Sequence, residues 1–190
     1  MARSIAVLVG SLRSESYTRK AACAAIEVAP RSLTLQTLEI GQLPHYNQDL
    51  EASPPAEWQS FRDLVRGFDG VLFATPEYNR SVPGVLKNAI DVGSRPYGKS
   101  AWAGKPAAVI SVSPGAIGGF GANQHLRQSL VFLDMPCMQQ PEAYLGHADR
   151  LFDAGGTLTN DSTRVFLASF MTSFEHWVEI NLPASKHAAA

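Results

Sequence analysis

Ten consecutive residues near the start, Gly10-Ser11-Leu12-Arg13-Ser14-Glu15-Ser16-Tyr17-Thr18-Arg19, gather hydroxyls at Ser11, Ser14, Ser16 and Thr18 and guanidinium groups at Arg13 and Arg19. An apolar run, residues 5–9, precedes them and an alanine-rich segment follows. Short hydroxyl donors where a strand turns into a helix suit a phosphate. The helix's first N–H groups lack partners, and the positive end of its dipole favours a dianion. The same residues also make an ordinary N-cap, where Ser and Thr are common. Position favours the ligand, because doubly wound sheets hold phosphates in the loop after the first buried strand. The glycines of the dinucleotide pattern G-x-G-x-x-G are missing, so a mononucleotide fits better.

Two further stretches have a composition suited to ligands. Thr75-Pro76-Glu77-Tyr78-Asn79-Arg80-Ser81-Val82-Pro83-Gly84 places an aromatic, a carboxylate and an amide between two backbone-restricting prolines. Tyr78 offers a face for stacking, and backbone N–H and C=O groups could read the polar edge of a planar heterocycle. The bland alternative is an exposed turn ahead of a helix. Ser113-Pro114-Gly115-Ala116-Ile117-Gly118-Gly119-Phe120-Gly121 holds four glycines that would let backbone approach a ligand closely, though such connections are often only turns.

Other signals are set aside. Residues 93–100 match the P-loop expression G-x-x-x-x-G-K-[ST]. That loop must follow a strand and open a helix, whereas here a helical pattern precedes and a strand pattern follows. The five histidines are scattered, with no i, i+4 pair and no cysteine couple nearby, so no metal site is expected. Cys23, in the alanine-rich segment, is expected to be a small buried hydrophobe. Trp58, Trp102 and Trp177 read as core or interface residues.

The elements that must hold these loops alternate between strand and helix. Apolar runs at 5–9, 33–40, 71–75 and 107–112 read as strands, with a short fifth at 136–138. Helical spacing covers 19–28, 58–65, 82–92, 124–133 and 165–178. The pattern predicts an α/β fold with one doubly wound parallel sheet. Such sheets bind ligands at the carboxyl ends of their strands. Residues 1–182 are read as a single domain, with residues 183–190 as a C-terminal tail.

Composition narrows the function classes. Of the 190 residues, 45% are hydrophobic and 17% charged, which excludes a disordered chain and a membrane-spanning one. A net charge of −1 supplies no basic field for nucleic acid or an anionic membrane, so any phosphate recognition must be local. Two cysteines, and an apolar N-terminal run too short for a signal peptide, point to a reduced, cytoplasmic setting.

From about Ser4 to Ile180 the chain resembles the NADPH-dependent FMN reductases, in particular the bacterial quinone and chromate reductase branch. The resemblance rests on Gly10-Ser11-Leu12-Arg13 with Ser16, on Thr75-Pro76-Glu77-Tyr78-Asn79 and the adjoining Ser81-Val82-Pro83-Gly84, and on Leu86-Lys87-Asn88-Ala89-Ile90-Asp91. It implies a flavodoxin-like doubly wound five-stranded parallel sheet with helices on both faces, FMN as cofactor and NADPH or NADH as donor. Ser11, Arg13, Ser16, Tyr17 and Thr18 would surround the FMN phosphate. Pro76, Glu77, Tyr78 and Asn79 would line the isoalloxazine ring, and Ser113, Gly115 and Gly118 would close its other edge. The family usually carries asparagine where this chain has Thr18, which keeps a hydroxyl donor. The flavin would carry the chemistry, so no catalytic acid–base pair is expected. The resemblance further implies ping-pong reduction of quinones, with chromate as another acceptor, and a homodimer or homotetramer. The dimer contact would draw on the loop at residues 43–49 and the helix at 82–92. The competing reading is a flavodoxin-like electron carrier with no turnover of its own.

Overall fold

Alternate residues of the first apolar run face opposite ways. Ile5, Val7 and Val9 enter one hydrophobic core while Ala6 and Leu8 enter another, as a strand covered on both faces requires. The computed structural model describes residues 2–182, so the tail expected at 183–190 lies outside the described residues. The first strand, β1 (Arg3–Val9), pairs in parallel with β2 (Leu33–Leu38) on one side and β3 (Gly70–Thr75) on the other. β3 continues to β4 (Ala107–Val112), and β4 to β5 (Ala143–Leu145). The five-stranded sheet therefore runs β2-β1-β3-β4-β5, parallel throughout.

Five helices cover it. α1 (Tyr17–Glu27) and α5 (Asp161–Asn181) pack on one face, and α2 (Ala56–Arg66), α3 (Gly84–Gly93) and α4 (Phe120–Phe132) on the other. Chain order reverses at β1 and β3, so the loop leaving β1 and the loop leaving β3 run to opposite faces. A crevice opens between such loops in doubly wound sheets. Phe73 of β3 and Trp58, Trp102, Phe170 and Phe174 packed against the sheet are fully buried. Each such side chain contributes about 1.5–3 kcal/mol through removal from water. Trp177 is partly buried and donates through Nε1 to Pro136 O at 2.8 Å.

Three expectations fail. The fifth strand lies at Ala143–Leu145, not at residues 136–138, where Cys137 keeps only an isolated parallel bridge to Ala107. Pro136 and Pro141 lack an N–H to donate, so continuous pairing with β4 starts only beyond the second proline. Cys23 is exposed, not buried. Ala21, Ala22, Ala24 and Ala25 occupy the inward face of α1, and helical period leaves position 23 on the outside. α4 begins at Phe120 and not at 124, directly after left-handed Gly119 (φ 78°).

Candidate functional site

The loop leaving β1 is held against β3 from its first residue, with the Gly10 N–H donating to Ala74 O at 2.8 Å. A Cβ at Gly10 would stand 3.1 Å from Leu86 Cδ2 and 3.3 Å from Pro76 Cδ, so glycine lets the two strand-end loops and α3 close together. The chain then enters α1 through Ser16, whose Oγ accepts the Arg19 N–H at 3.1 Å as an N-cap. The N–H groups of Tyr17 and Thr18 lie ahead of the first intrahelical bond, and no acidic residue stands in this turn. Ser11 and Thr18 are each only 3% exposed, yet their hydroxyls make no side-chain hydrogen bond among the described residues. Arg13 is exposed and enters no ion pair among the described residues. Glu15 is drawn aside to Lys20 Nζ at 2.9 Å, and this bond holds its carboxyl below the usual range.

The loop leaving β3 forms a tight turn. Tyr78 N–H donates to Ser81 O at 3.1 Å and Ser81 N–H to Tyr78 O at 3.0 Å. Asn79 (φ 50°) and Arg80 (φ 64°) between them are both left-handed, the geometry of a two-residue hairpin turn. Loops and helix start enclose a cleft of about 370 Å³, lined by Gly10, Leu12 and Arg13 from the first loop and by Tyr78, Pro83, Gly84 and Val85 from the second. Tyr78 is 47% exposed, so one ring face remains available for stacking. Pro76 is half-buried behind it. The Glu77 carboxylate is already engaged, accepting the Ala122 N–H through Oε2 at 3.0 Å.

The third loop leaves β4, the strand next to β3 in the sheet. Ser113 Oγ accepts the Gly115 N–H at 3.1 Å, while the Ser113 and Gly115 carbonyls accept N–H groups of Ala148 and His147. Left-handed Gly118 packs on the end of β5, where a Cβ would lie 2.6 Å from the Tyr144 carbonyl carbon. The structure thus joins Arg13 and Tyr78 across one cleft, with Ser11, Ser16, Tyr17 and Thr18 at the adjoining helix start. The helix that follows Ser113, Gly115 and Gly118, α4, meets the loop after β3 through Ala122 N–H to Glu77 Oε2 at 3.0 Å and through His125 Nδ1 and Ser81 Oγ at 3.0 Å.

Sequence reasoning missed the cleft's apolar wall of Leu12, Pro83 and Val85, although Pro83 and Gly84 stood in the quoted motif. It also missed Asn88, which secures the loop after β2. The Asn88 Oδ1 accepts the Tyr46 N–H at 2.8 Å, and its Nδ2 donates to Leu43 O and Pro44 O, both at 3.2 Å. In that loop the Tyr46 hydroxyl donates to Glu51 Oε1 at 2.6 Å, a bond that pushes the phenol above its ordinary range. The P-loop match at 93–100 starts on the last residue of α3 and opens no helix, so its N–H groups do not converge on a phosphate.

Hydroxyls, free N–H groups and one guanidinium at a helix start suit a phosphate monoester, and the apolar wall with Tyr78 suits a planar ring. The residues present therefore fit FMN. Comparison with known proteins points the same way. The sequence model described as NADPH-dependent FMN reductase matches residues 3–150. A quinone reductase of Pseudomonas putida is 68% identical over 179 residues, covering 94% of this chain and 96% of that protein. A 2-hydroxy-1,4-benzoquinone reductase of a Burkholderia species is 45% identical over 178 residues, covering 94% and 97%. Among solved structures, FerB, a flavoenzyme NAD(P)H:(acceptor) oxidoreductase from Paracoccus denitrificans, superposes with a TM-score of 0.88 at 43% identity, covering 95% of this chain and 99% of that one.

Proposed function

The chain belongs to the NADPH-dependent FMN reductase family, and from that premise we propose that it is an FMN-dependent NAD(P)H oxidoreductase whose acceptors are quinones. The observation that carries the reading is the pairing of a phosphate-type helix start with a ring-sized cleft at the β1–β3 switch point. Relatives named as reductases favour turnover over the carrier alternative.

Ser11, Arg13, Ser16, Tyr17 and Thr18 would hold the phosphate, and Pro76, Glu77, Tyr78 and Asn79 would border the ring. Ser113, Gly115 and Gly118 would close the ring's other edge. When bound, FMN supplies the hydride and electron chemistry between nicotinamide and acceptor. This chain's own contribution is positional. Arg13 and the hydroxyls fix one end by charge-assisted bonds, Leu12, Pro83 and Val85 keep water from the other, and Tyr78 leaves a face for stacking. Turnover would follow a ping-pong order, the oxidised nicotinamide leaving before the acceptor enters the same cleft. Chromate is proposed as a further acceptor on the resemblance to its branch alone.

We also propose a homodimer or homotetramer. The support is a second cleft of about 890 Å³ along the outer sides of α3 and α4, with Tyr97 and Phe132 at its margin, each 85% exposed. Large apolar side chains in that position favour a partner surface. A cytoplasmic location is proposed from the two unpaired cysteines. No helix among the described residues is long and apolar enough to cross a membrane.

The deciding experiment is the absorption spectrum of the protein purified with FMN added, followed by NADPH and NADH oxidation with and without a benzoquinone. A flavin spectrum with quinone-dependent oxidation is expected. Absence of FMN binding, or bound flavin that neither nicotinamide reduces, overturns the reading.

A further inference from the structure

Glu77 is expected to line a ring, but the fold gives its carboxylate another partner. Oε2 accepts the Ala122 N–H at 3.0 Å across 45 residues of sequence, in the first turn of α4. The N-cap of that helix is Gly119, which has no side chain to satisfy the first N–H groups. A carboxylate brought from another loop satisfies one of them and meets the positive end of the dipole. The Glu77 side chain is 13% exposed, so the bond is sheltered from water. Gly121 makes the approach possible, since a Cβ there would stand 2.8 Å from Arg80 O and 2.9 Å from Glu77 Oε2. Arg80 O belongs to the turn, and Glu77 immediately precedes it; Asn79 and Arg80 are left-handed, a conformation that costs non-glycine residues free energy and persists only where surroundings impose it. The Arg80 guanidinium lies 3.7 Å from Glu77 Oε1 but is 77% exposed, and a screened pair of that kind contributes little. α4 also reaches the turn through His125 Nδ1 and Ser81 Oγ at 3.0 Å, but that contact is exposed, so the sheltered bond to Ala122 is the anchor.

We propose that Glu77 is a positioning residue: its bond to the start of α4 fastens the turn at residues 78–81 and presets the backbone of residues 76–79 before a flavin ring arrives. This rests on the reading that the cleft takes FMN. A turn without its anchor would have to be ordered during binding, and that cost would be subtracted from affinity.

The test compares Glu77→Ala, which removes the acceptor, with Glu77→Gln, which keeps an amide oxygen able to accept the Ala122 N–H. Two readouts are taken on apoprotein: FMN affinity by quenching of flavin fluorescence, and amide hydrogen exchange at Tyr78 and Ser81. For Glu77→Ala we expect affinity to fall roughly tenfold or more, as for loss of a charge-assisted bond. Exchange at both amides should quicken, with the thermal midpoint little changed. Glu77→Gln should restore most of both. Unchanged exchange in Glu77→Ala, faster exchange without loss of affinity, or an equal loss in Glu77→Gln overturns the proposal. Should Glu77→Ala not fold, Gly121→Ala presses on the same contact from α4 and should reproduce both losses; normal affinity and exchange there count against it. If the parent protein binds no FMN, the cofactor reading fails, while exchange at Tyr78 and Ser81 still decides whether the anchor exists.

Discussion

Arg13→Ala separates cofactor recognition from folding, because the Arg13 side chain is exposed and takes no part in an ion pair among the described residues. Truncating such a side chain should change global stability by no more than about 0.5 kcal/mol. A guanidinium–phosphate bond is charge-assisted and contributes about 1.5–3 kcal/mol, so FMN affinity should fall about 10- to 150-fold. The assay is titration of apoprotein into FMN, followed by loss of flavin fluorescence, repeated with riboflavin, which lacks the phosphate. Riboflavin affinity should be the same in parent and variant. The parent's FMN affinity should also weaken with added salt more steeply than the variant's, because this contact is open to solvent and screened. Equal losses for riboflavin and FMN would place Arg13 at the ring, and no loss for either would remove it from the site.

Ser16→Ala removes the α1 cap and should cost the apoprotein about 1 kcal/mol, read as a lower denaturant midpoint at unchanged slope; an unmoved midpoint refutes the capping role. Phe132→Glu puts a charge beside the cleft along α3 and α4 and should shift the protein toward monomer in sedimentation; an assembly unchanged from the parent's rules that face out as the contact. Arg3 bonds Glu179 at 2.8 Å and holds its carboxyl below the ordinary 4.5, so the stability from this pair is present above that pH and is lost as pH falls through the lowered value. The stability gap between parent and Arg3→Gln should therefore narrow between about pH 7 and pH 3, and a constant gap contradicts the linkage.

Much of the fold was legible because its signals are local. The uniformly apolar runs of β1, β3 and β4 mark strands buried on both faces, and the Ser16 cap with the alanines of α1 marks the first helix. β5 was misplaced because it is three residues long, and an apolar run at 136–138 competed with it. Two prolines decided between them by withholding ladder donors. Cys23 was misjudged because alanine on every side blurs the contrast that identifies a helix's inner face. Glycine-rich composition at residues 113–121 showed that backbone comes close to something, without saying to what. For Gly118 the neighbour is the end of β5, and for Gly121 it is the turn at Arg80.

The candidate site divides along the same line. Its phosphate end consists of one loop and one helix start, so ten consecutive residues spell out its chemistry. Its ring end depends on contacts such as Glu77 to Ala122, and on neighbouring support such as Tyr46 to Asn88, which span 45 and 42 residues and leave no trace in spacing. Distant sites without shared partners perturb binding independently, so changes at the two ends should be separable. Variants at Ser11, Arg13 and Thr18 should lower the ratio of FMN to riboflavin affinity. Glu77→Ala and Gly121→Ala should weaken both ligands in equal proportion and leave that ratio intact. A ring-end variant that altered the ratio would mean that the turn at residues 78–81 and the start of α1 move together, and the two halves of the cleft would then be one cooperative unit.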